Sequence, residues 1–352
     1  MTIAPLNLGA LKRVSACLGA DPDLVQGGGG NSSLKAGGRL WIKASGTWLA
    51  RAEDEEIFVD LDLDRLRHQI AAGAAEPTAG CFDAAGGRRP SIETTLHALM
   101  PQPVVLHAHA VNTIAHAVRP RPETELRSRL DGLDWTLVPY RRPGLPLTEA
   151  VGAALAERPA ADVLILANHG LVVGAADAEA ALALTREVER RLALTPRAAP
   201  APATAKLAPL IEGDGWRLPA DPSVQGIATD PVSLDIASAG PLYPDHVVFL
   251  DAVLPRLEGD LAETIARHRR ASGRDPAYLA LPGAGVVVAD EISAGAEEML
   301  GCLARVLARL SADAAVRHLN EGEVAALVDW EAEQYRRSID AAPVDDSKGE
   351  TT

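Results

Sequence analysis

Short apolar β-type runs alternate with helical patterns through the first half of the chain, and this alternation constrains the fold more than any other feature. "RLWIKAS" (39–45), "EEIFVDLD" (55–62), "PVVLHAHA" (103–110), "DVLILANHG" (162–170) and "LVVGA" (171–175) read as strands. "ALKRVSACLGA" (10–20), "IETTLHALM" (92–100) and "DAEAALALTREVERRLAL" (177–194) read as helices. In the last of these, Asp177 offers an N-cap, and Ala181, Leu184, Val188 and Leu192 form one apolar stripe. Strands interleaved with helices predict a three-layer α/β fold, with the helices packed on a central sheet.

The 352 residues exceed one typical domain, and "TPRAAPAPATAKLAP" (195–209) suits an extended connector better than a packed element. The reading is a first domain over 1–194, a Pro/Ala-rich linker over 195–209, a second α/β domain over 210–338 and a polar, disordered tail over 339–352. The stretch from Tyr278, "YLALPGAGVVVADEISAGAEEMLGCLARVLARL", lies without gaps over that from Val163 when Gly285 is placed on Gly170. Ala284 then falls on His169 and Gly283 on Asn168. Two readings stay open: a degenerate structural repeat, or the shape shared by any strand, turn, strand and helix. Either way the second half carries no metal ligands and is expected to be structural.

A net charge of −14 with scattered Arg repels phosphate backbones and anionic lipid, so nucleic acid and membrane surfaces are excluded as partners. No apolar run approaches the ~20 residues of a membrane span, and no secretion signal is seen at the start. The expected compartment is the cytoplasm. Cys17, Cys81 and Cys302 are odd in number and unpaired in spacing, which argues for buried apolar side chains rather than disulfides or a thiolate metal site.

Imidazoles are poor β-core residues, yet two of only nine histidines stand at alternate positions of an apolar strand, at 107 and 109. Positions i and i+2 share a face, so His107 and His109 can converge on one ion. His169 ends another apolar strand, where open α/β sheets place ligands. Three neutral imidazoles with a fourth position open suit a catalytic divalent metal, zinc first. Glu93 follows Ser91, which reads as the cap of a helix over 91–100 running into the His strand; its carboxylate suits either the helix dipole or proton transfer beside a cation.

Four consecutive glycines precede Asn31 in "VQGGGGNSSLK" (25–35), which is neither a Walker loop nor a dinucleotide fingerprint. With Gly30 and Asn31, and with Lys43, Ser45 and Gly46 of "KASG", it reads as an anion nest for phosphate or carboxylate. His68, His268 and His318 read as exposed, and His116 and His246 are not assigned as ligands.

In this order and spacing, "GGGGNSSLK", "IKASG", "RRPSIETTLHALMP", "HAHA" and "ANHGLVVG" resemble the class II aldolase/adducin family. Within it the chain looks closest to the aldolase portion of bifunctional rhamnulose-phosphate aldolase/alcohol dehydrogenase proteins. The specific motifs cover residues 25–175, with a weaker similarity through "PLYPDHVV" and "LPGAGVVVADE". The resemblance implies a class II aldolase-like catalytic domain over 1–194 that cleaves a ketose 1-phosphate or a related sugar-derived hydroxy-keto compound. His107, His109 and His169 would bind Zn2+, or another divalent ion such as Mn2+ or Fe2+, and the metal would stabilise an enediolate. Glu93 would be the acid/base, with Gly30, Asn31, Lys43, Ser45, Gly46 and Ser91 holding the phosphate. Ile92 departs from the second Ser often found before the Glu, and no counterpart of a protonating Tyr is evident. The family also implies a sugar or sugar-phosphate as partner and a homo-oligomer. The rival readings are a sugar-phosphate epimerase or sugar-acid decarboxylase on the same fold, and a non-catalytic adducin-like interaction module, against which the complete His set weighs.

Overall fold

The structure, a computed structural model, describes residues 8–340 apart from Asp214. In the first half β1 (Asn31–Ala36), β2 (Arg39–Lys43), β3 (Phe58–Asp62), β4 (Val104–Ala108), β5 (Trp135–Val138), β6 (Val163–Leu166) and β7 (Gly170–Ala175) form one sheet in the order β3-β2-β1-β4-β7-β6-β5. β5 and β6 run parallel and the other neighbours antiparallel. Strand periodicity sorts the core onto two faces. Val104, Leu106, Val163 and Ile165 pack under the helices Leu8–Gly19 and Ala178–Leu192, while Val105, Leu164 and Leu166 pack with Leu96, Leu147 and Val151 on the other side. This is the expected three-layer α/β arrangement. Asp177 caps the helix Ala178–Leu192 by accepting from the Ala180 amide at 2.8 Å.

β1, "NSSLKA", carries no apolar alternation, yet it sits in mid-sheet between β2 and β4. Its buried polar groups are paired: Ser32 with Ser15 at 2.7 Å, Ser33 with His97 at 2.7 Å, and Lys35 with the carbonyls of His97 and Met100. Pairing removes the penalty that would bar them from a core. Its register sets Asn31 opposite His107.

In the second half β8 (Trp216–Arg217), β9 (Tyr278–Leu281) and β10 (Gly285–Ala289) form a three-stranded sheet in the order β8-β10-β9. The pairing of β9 with β10, Leu281 on Gly285 through Tyr278 on Val288, repeats that of β6 with β7, Leu166 on Gly170 through Val163 on Val173. Both turns hold a residue with positive φ at the same place, Asn168 at 50° and Gly283 at 66°. Both of those amides donate to the carbonyl of a preceding helix, Ala117 at 3.0 Å and Ala228 at 2.8 Å. β8 lies on β10 as β4 lies on β7, and a parallel bridge from Arg256 to Ala280 stands where β5 pairs with β6. The unit therefore recurs structurally, with Leu218, Ala220 and Ala284 at the places of His107, His109 and His169.

Four readings of the sequence need correction. The connector does not remain extended to 209: the helix Thr204–Ile211 takes its last residues because Leu207 is buried against Leu279, Ala284 and Val287. Upstream it is pinned, with Arg197 donating to Asp230, Ser233 and the Leu307 carbonyl. Residues 339–340 of the expected tail end the helix Glu331–Asp340, and 341–352 lie outside the described residues. Cys17 is exposed on the outer side of its helix, whereas Cys81 and Cys302 are buried. His268 is buried, its Nε2 3.1 Å from Asp251, because the helix Leu261–Ser272 turns that face inward; His68 is exposed as expected, whereas His318 is half-buried, its Nε2 donating to the Ile236 carbonyl at 3.0 Å. No helix among the described residues is long and apolar enough to cross a membrane.

The two halves share a core. Val111, Ile114, Ala115 and Val118 pack in one cluster with Met299, Leu303 and Val306 of the helix Ala294–Ala308.

Acid sensitivity follows from the buried histidines. Burial pushes His97 to about 3, His116 to about 4 and His246 to about 3. Each value lies below the unfolded ~6.5, so unfolding takes up a proton; the stability is fully present above about pH 6.5 and is lost as pH falls toward 3. Each histidine contributes up to about 1.4 kcal/mol per pH unit within that window. Urea midpoints measured in chelator should drop clearly between pH 7.5 and pH 5; equal midpoints would contradict burial of these rings in their neutral form.

Candidate metal centre

β4 delivers His107 from within the strand, and His109 stands just past the strand's end, where the chain turns into the helix Val111–Ala117. His169 lies in the β6–β7 turn behind Asn168, a residue type that tolerates positive φ. The side chain of Asn168 donates to the carbonyls of Leu242 and Arg317, each at 2.8 Å, and accepts from Arg317 at 2.9 Å, so the second half fixes this turn. The three buried rings stand with centroids 4.9, 4.9 and 5.4 Å apart. Among the described residues they form the one group of three whose ligand atoms converge, all within 4.8 Å.

Hydrogen bonding fixes which nitrogens face inward. His107 Nδ1 is 2.9 Å from the Leu171 carbonyl, and His109 Nδ1 is 2.9 Å from Asp245 Oδ2. Carbonyl and carboxylate oxygens only accept, so each Nδ1 carries a proton, and in the neutral ring the Nε2 is then a lone pair free to bind a metal. These two Nε2 atoms are 3.1 Å apart; Glu93 Oε2 is 3.2 Å from that of His107, and Glu93 Oε1 is 3.5 Å from that of His169. Burial pushes His107 down and His169 to about 3, which favours the neutral form of these two rings at pH 7. Burial raises the Glu93 carboxyl, while the Asn31 amide and any proton held on the neighbouring imidazoles lower it, so rings and carboxyl share their protons. Three imidazoles converging beside a carboxyl group fit a divalent metal.

Glu93 is itself the N-cap of a helix that begins at Thr94 rather than at 91. Ser91 accepts from the Glu93 amide at 3.2 Å and from Asn31 Nδ2 at 3.1 Å, while Asn31 Nδ2 also donates to Glu93 Oε2 at 2.8 Å. Glu93 Oε1 is buried without a hydrogen-bond partner. Gly30, Asn31, Lys43, Ser45, Gly46 and Ser91 line one cavity with Glu93, His109 and His169, so the structure brings the sequence candidates together, with His107 directly behind. Its volume of about 20 Å³ admits about one water molecule.

The glycine run answers first to packing. A Cβ on Gly30, at φ +57°, would meet the His107 carbonyl at 2.7 Å, and one on Gly29 would meet His109 Nδ1 at 2.8 Å. Lys43, pushed by burial and then by Arg336 to about 7, donates to the Gly28 carbonyl at 2.9 Å. Gly46 is covered by Ile339, which a Cβ would approach at 2.9 Å.

Sequence reasoning missed Asp245 and Arg336, which enter this cavity from the second half and correct the expectation that this half is purely structural. Asp245 is the second residue of the helix Pro244–Leu250; Arg336 lies on the helix Glu331–Asp340. Burial opposes the charge on Asp245, but Arg336 and His109 hold its carboxyl well below the usual range. His246 and His116, which the sequence does not assign as ligands, serve structure: His246 Nδ1 accepts from the Leu242 amide and His116 Nε2 donates to the Leu192 carbonyl. No Tyr lines the cavity among the described residues, although Tyr335 lines the adjoining one, which shares Ser45, Ser91 and Ile92 with it.

Against known proteins, the chain is 31% identical over 175 residues to "Uncharacterized oxidoreductase YuxG" of Bacillus subtilis (strain 168), an alignment covering 45% of this chain and 25% of that one. The chain thus spans about a quarter of that relative's length. Among solved structures, the N-terminal class II aldolase domain of a conserved protein from Thermoplasma acidophilum superposes with a TM-score of 0.47 at 23% identity, covering 55% of this chain and 94% of that one. L-fuculose-1-phosphate aldolase from Thermus thermophilus superposes with a TM-score of 0.38 at 20% identity, covering 53% and 90%. The family model described as Class II Aldolase and Adducin N-terminal domain matches residues 14–195, more than half of the chain, and the chain belongs to that family.

Proposed function

We propose that the protein is a metal-dependent aldolase that reversibly cleaves a ketose 1-phosphate or a related sugar-derived hydroxy-keto compound. The observation that carries this is the convergence of the three imidazoles, with ligand atoms all within 4.8 Å of one another, beside the buried Glu93 carboxyl. His107, His109 and His169 would hold the divalent ion, zinc first by donor type. When bound, that ion supplies Lewis-acid polarisation of the substrate's carbonyl and hydroxyl oxygens.

The remaining work falls to the chain. Cleavage of a β-hydroxy ketone requires loss of the hydroxyl proton and return of a proton to the carbon that leaves as an enolate. Glu93 is placed for that transfer, with Oε2 fixed by Asn31 and Oε1 unengaged. Lys43, Ser45, Gly46 and Ser91, with Gly30 and Asn31, would receive the substrate's anionic end.

Metal analysis followed by a retro-aldol screen over phosphorylated ketoses, free ketoses and hydroxy-keto acids tests the proposal. The expected result is one divalent ion per chain and release of an aldehyde, both lost in His109→Ala. Epimerised product or CO2 without aldehyde would move the reaction to another class. Absence of both metal and turnover would remove the enzyme reading.

A further inference from the structure

Three observations converge on Asp245, a residue beyond the span matched by the family model. Its Oδ2 lies 2.9 Å from His109 Nδ1, on the side of the ring opposite the converging Nε2 atoms. Arg336 grips it as a fork, Nη1 donating to Oδ1 at 3.1 Å and Nη2 to Oδ2 at 3.4 Å, with Nη1 also donating to Glu333 at 2.8 Å. Finally, Gly29 passes so close that a Cβ there would stand 2.8 Å from His109 Nδ1 and 3.2 Å from Asp245 Oδ2, so the glycine run makes room for this pair. All three charged groups are buried, and no solvent competes for the hydrogen bond.

We infer that Asp245 is a positioning residue for His109: it keeps the proton on Nδ1, aims Nε2 at the metal position, and so makes the C-terminal half part of the chemical centre. This rests on the metal site proposed above. A carboxylate behind a metal-binding imidazole fixes its tautomer and raises its basicity, and removing such a partner typically weakens metal affinity by about 10–100-fold. Asp245→Asn is the informative change, because Arg336 can only donate and draws the amide oxygen to itself. The amide nitrogen then faces His109 Nδ1 and favours the tautomer protonated at Nε2, where the metal must bind.

The test is titration of metal-stripped full-length protein with Zn2+ and with Co2+, wild type against Asp245→Asn, with circular dichroism confirming the fold of each. Expected are a rise of about 10–100-fold in the metal dissociation constant and an altered visible Co2+ spectrum. Equal affinity and an identical spectrum would overturn the inference. Should the variant not fold, 15N spectra of the histidines in wild-type protein decide: a protected, downfield Nδ1–H on His109 is expected, and a bare Nδ1 overturns the role. Wild-type protein that binds no metal would defeat the proposed function instead, while the Nδ1–H signal still reports on the hydrogen bond.

Discussion

Glu93→Gln is expected to lower turnover by roughly 10²–10⁴-fold while fold and metal content persist. The substitution keeps the side chain's size, and its amide oxygen can still accept from Asn31 Nδ2, which now bonds Glu93 at 2.8 Å. What it loses is a carboxyl group able to take up and return a proton. The helix Thr94–Leu99 has six residues and Glu93 makes no side-chain cap to it, so helix stabilisation explains little of the conservative variant's expected defect. The measurement is steady-state turnover beside metal stoichiometry and thermal melting. Near-normal turnover with metal bound would confine Glu93 to a charge at a helix start.

The parts legible in the sequence were those encoded locally. An i, i+2 histidine pair after an apolar run announced itself because strand geometry makes alternate residues share a face, and the Asn-His-Gly turn placed His169 at a strand end. The overlay of residues 163 and 278 was readable because a four-residue strand followed by the same turn length and the same glycine fixes the same register. β1 was not readable, because its serines and lysine are buried through side-chain partners distant in sequence rather than through apolar alternation. Asp245 and Arg336 were hidden for a related reason. Arg336 and Glu333, in "EAEQYRRSID", belong to a strongly polar segment with no motif, yet they pair with each other inside the protein, and no short-range pattern reports a partner on another helix. The glycine run was read for anion binding; its packing against the His109–Asp245 pair depends on contacts that exist only once the halves have met.

Truncation after Leu194 is expected to abolish activity although all three histidines and Glu93 remain in the fragment. Removing the second half uncovers Val111, Ile114, Ala115 and Val118, which are fully buried against it. At about 1.5–3 kcal/mol for each of the three larger side chains, the loss is roughly 5–9 kcal/mol. That is comparable with the about 5–15 kcal/mol that holds a typical domain together. Chemistry suffers as well as burial. His109 loses Asp245, the turn carrying His169 loses the carbonyls of Leu242 and Arg317, and Asn112, beside the start of the helix that follows His109, loses Arg309 at 2.9 Å. A fragment of residues 1–194 should therefore melt without cooperativity or aggregate, and should bind metal weakly if it stays in solution. Circular dichroism, size-exclusion chromatography and metal titration on the same sample check each part. A fragment that melts cooperatively and turns over at the full-length rate would show that the second half serves neither the core nor the site; cooperative melting with weakened metal binding would separate the two and leave the role in the site standing.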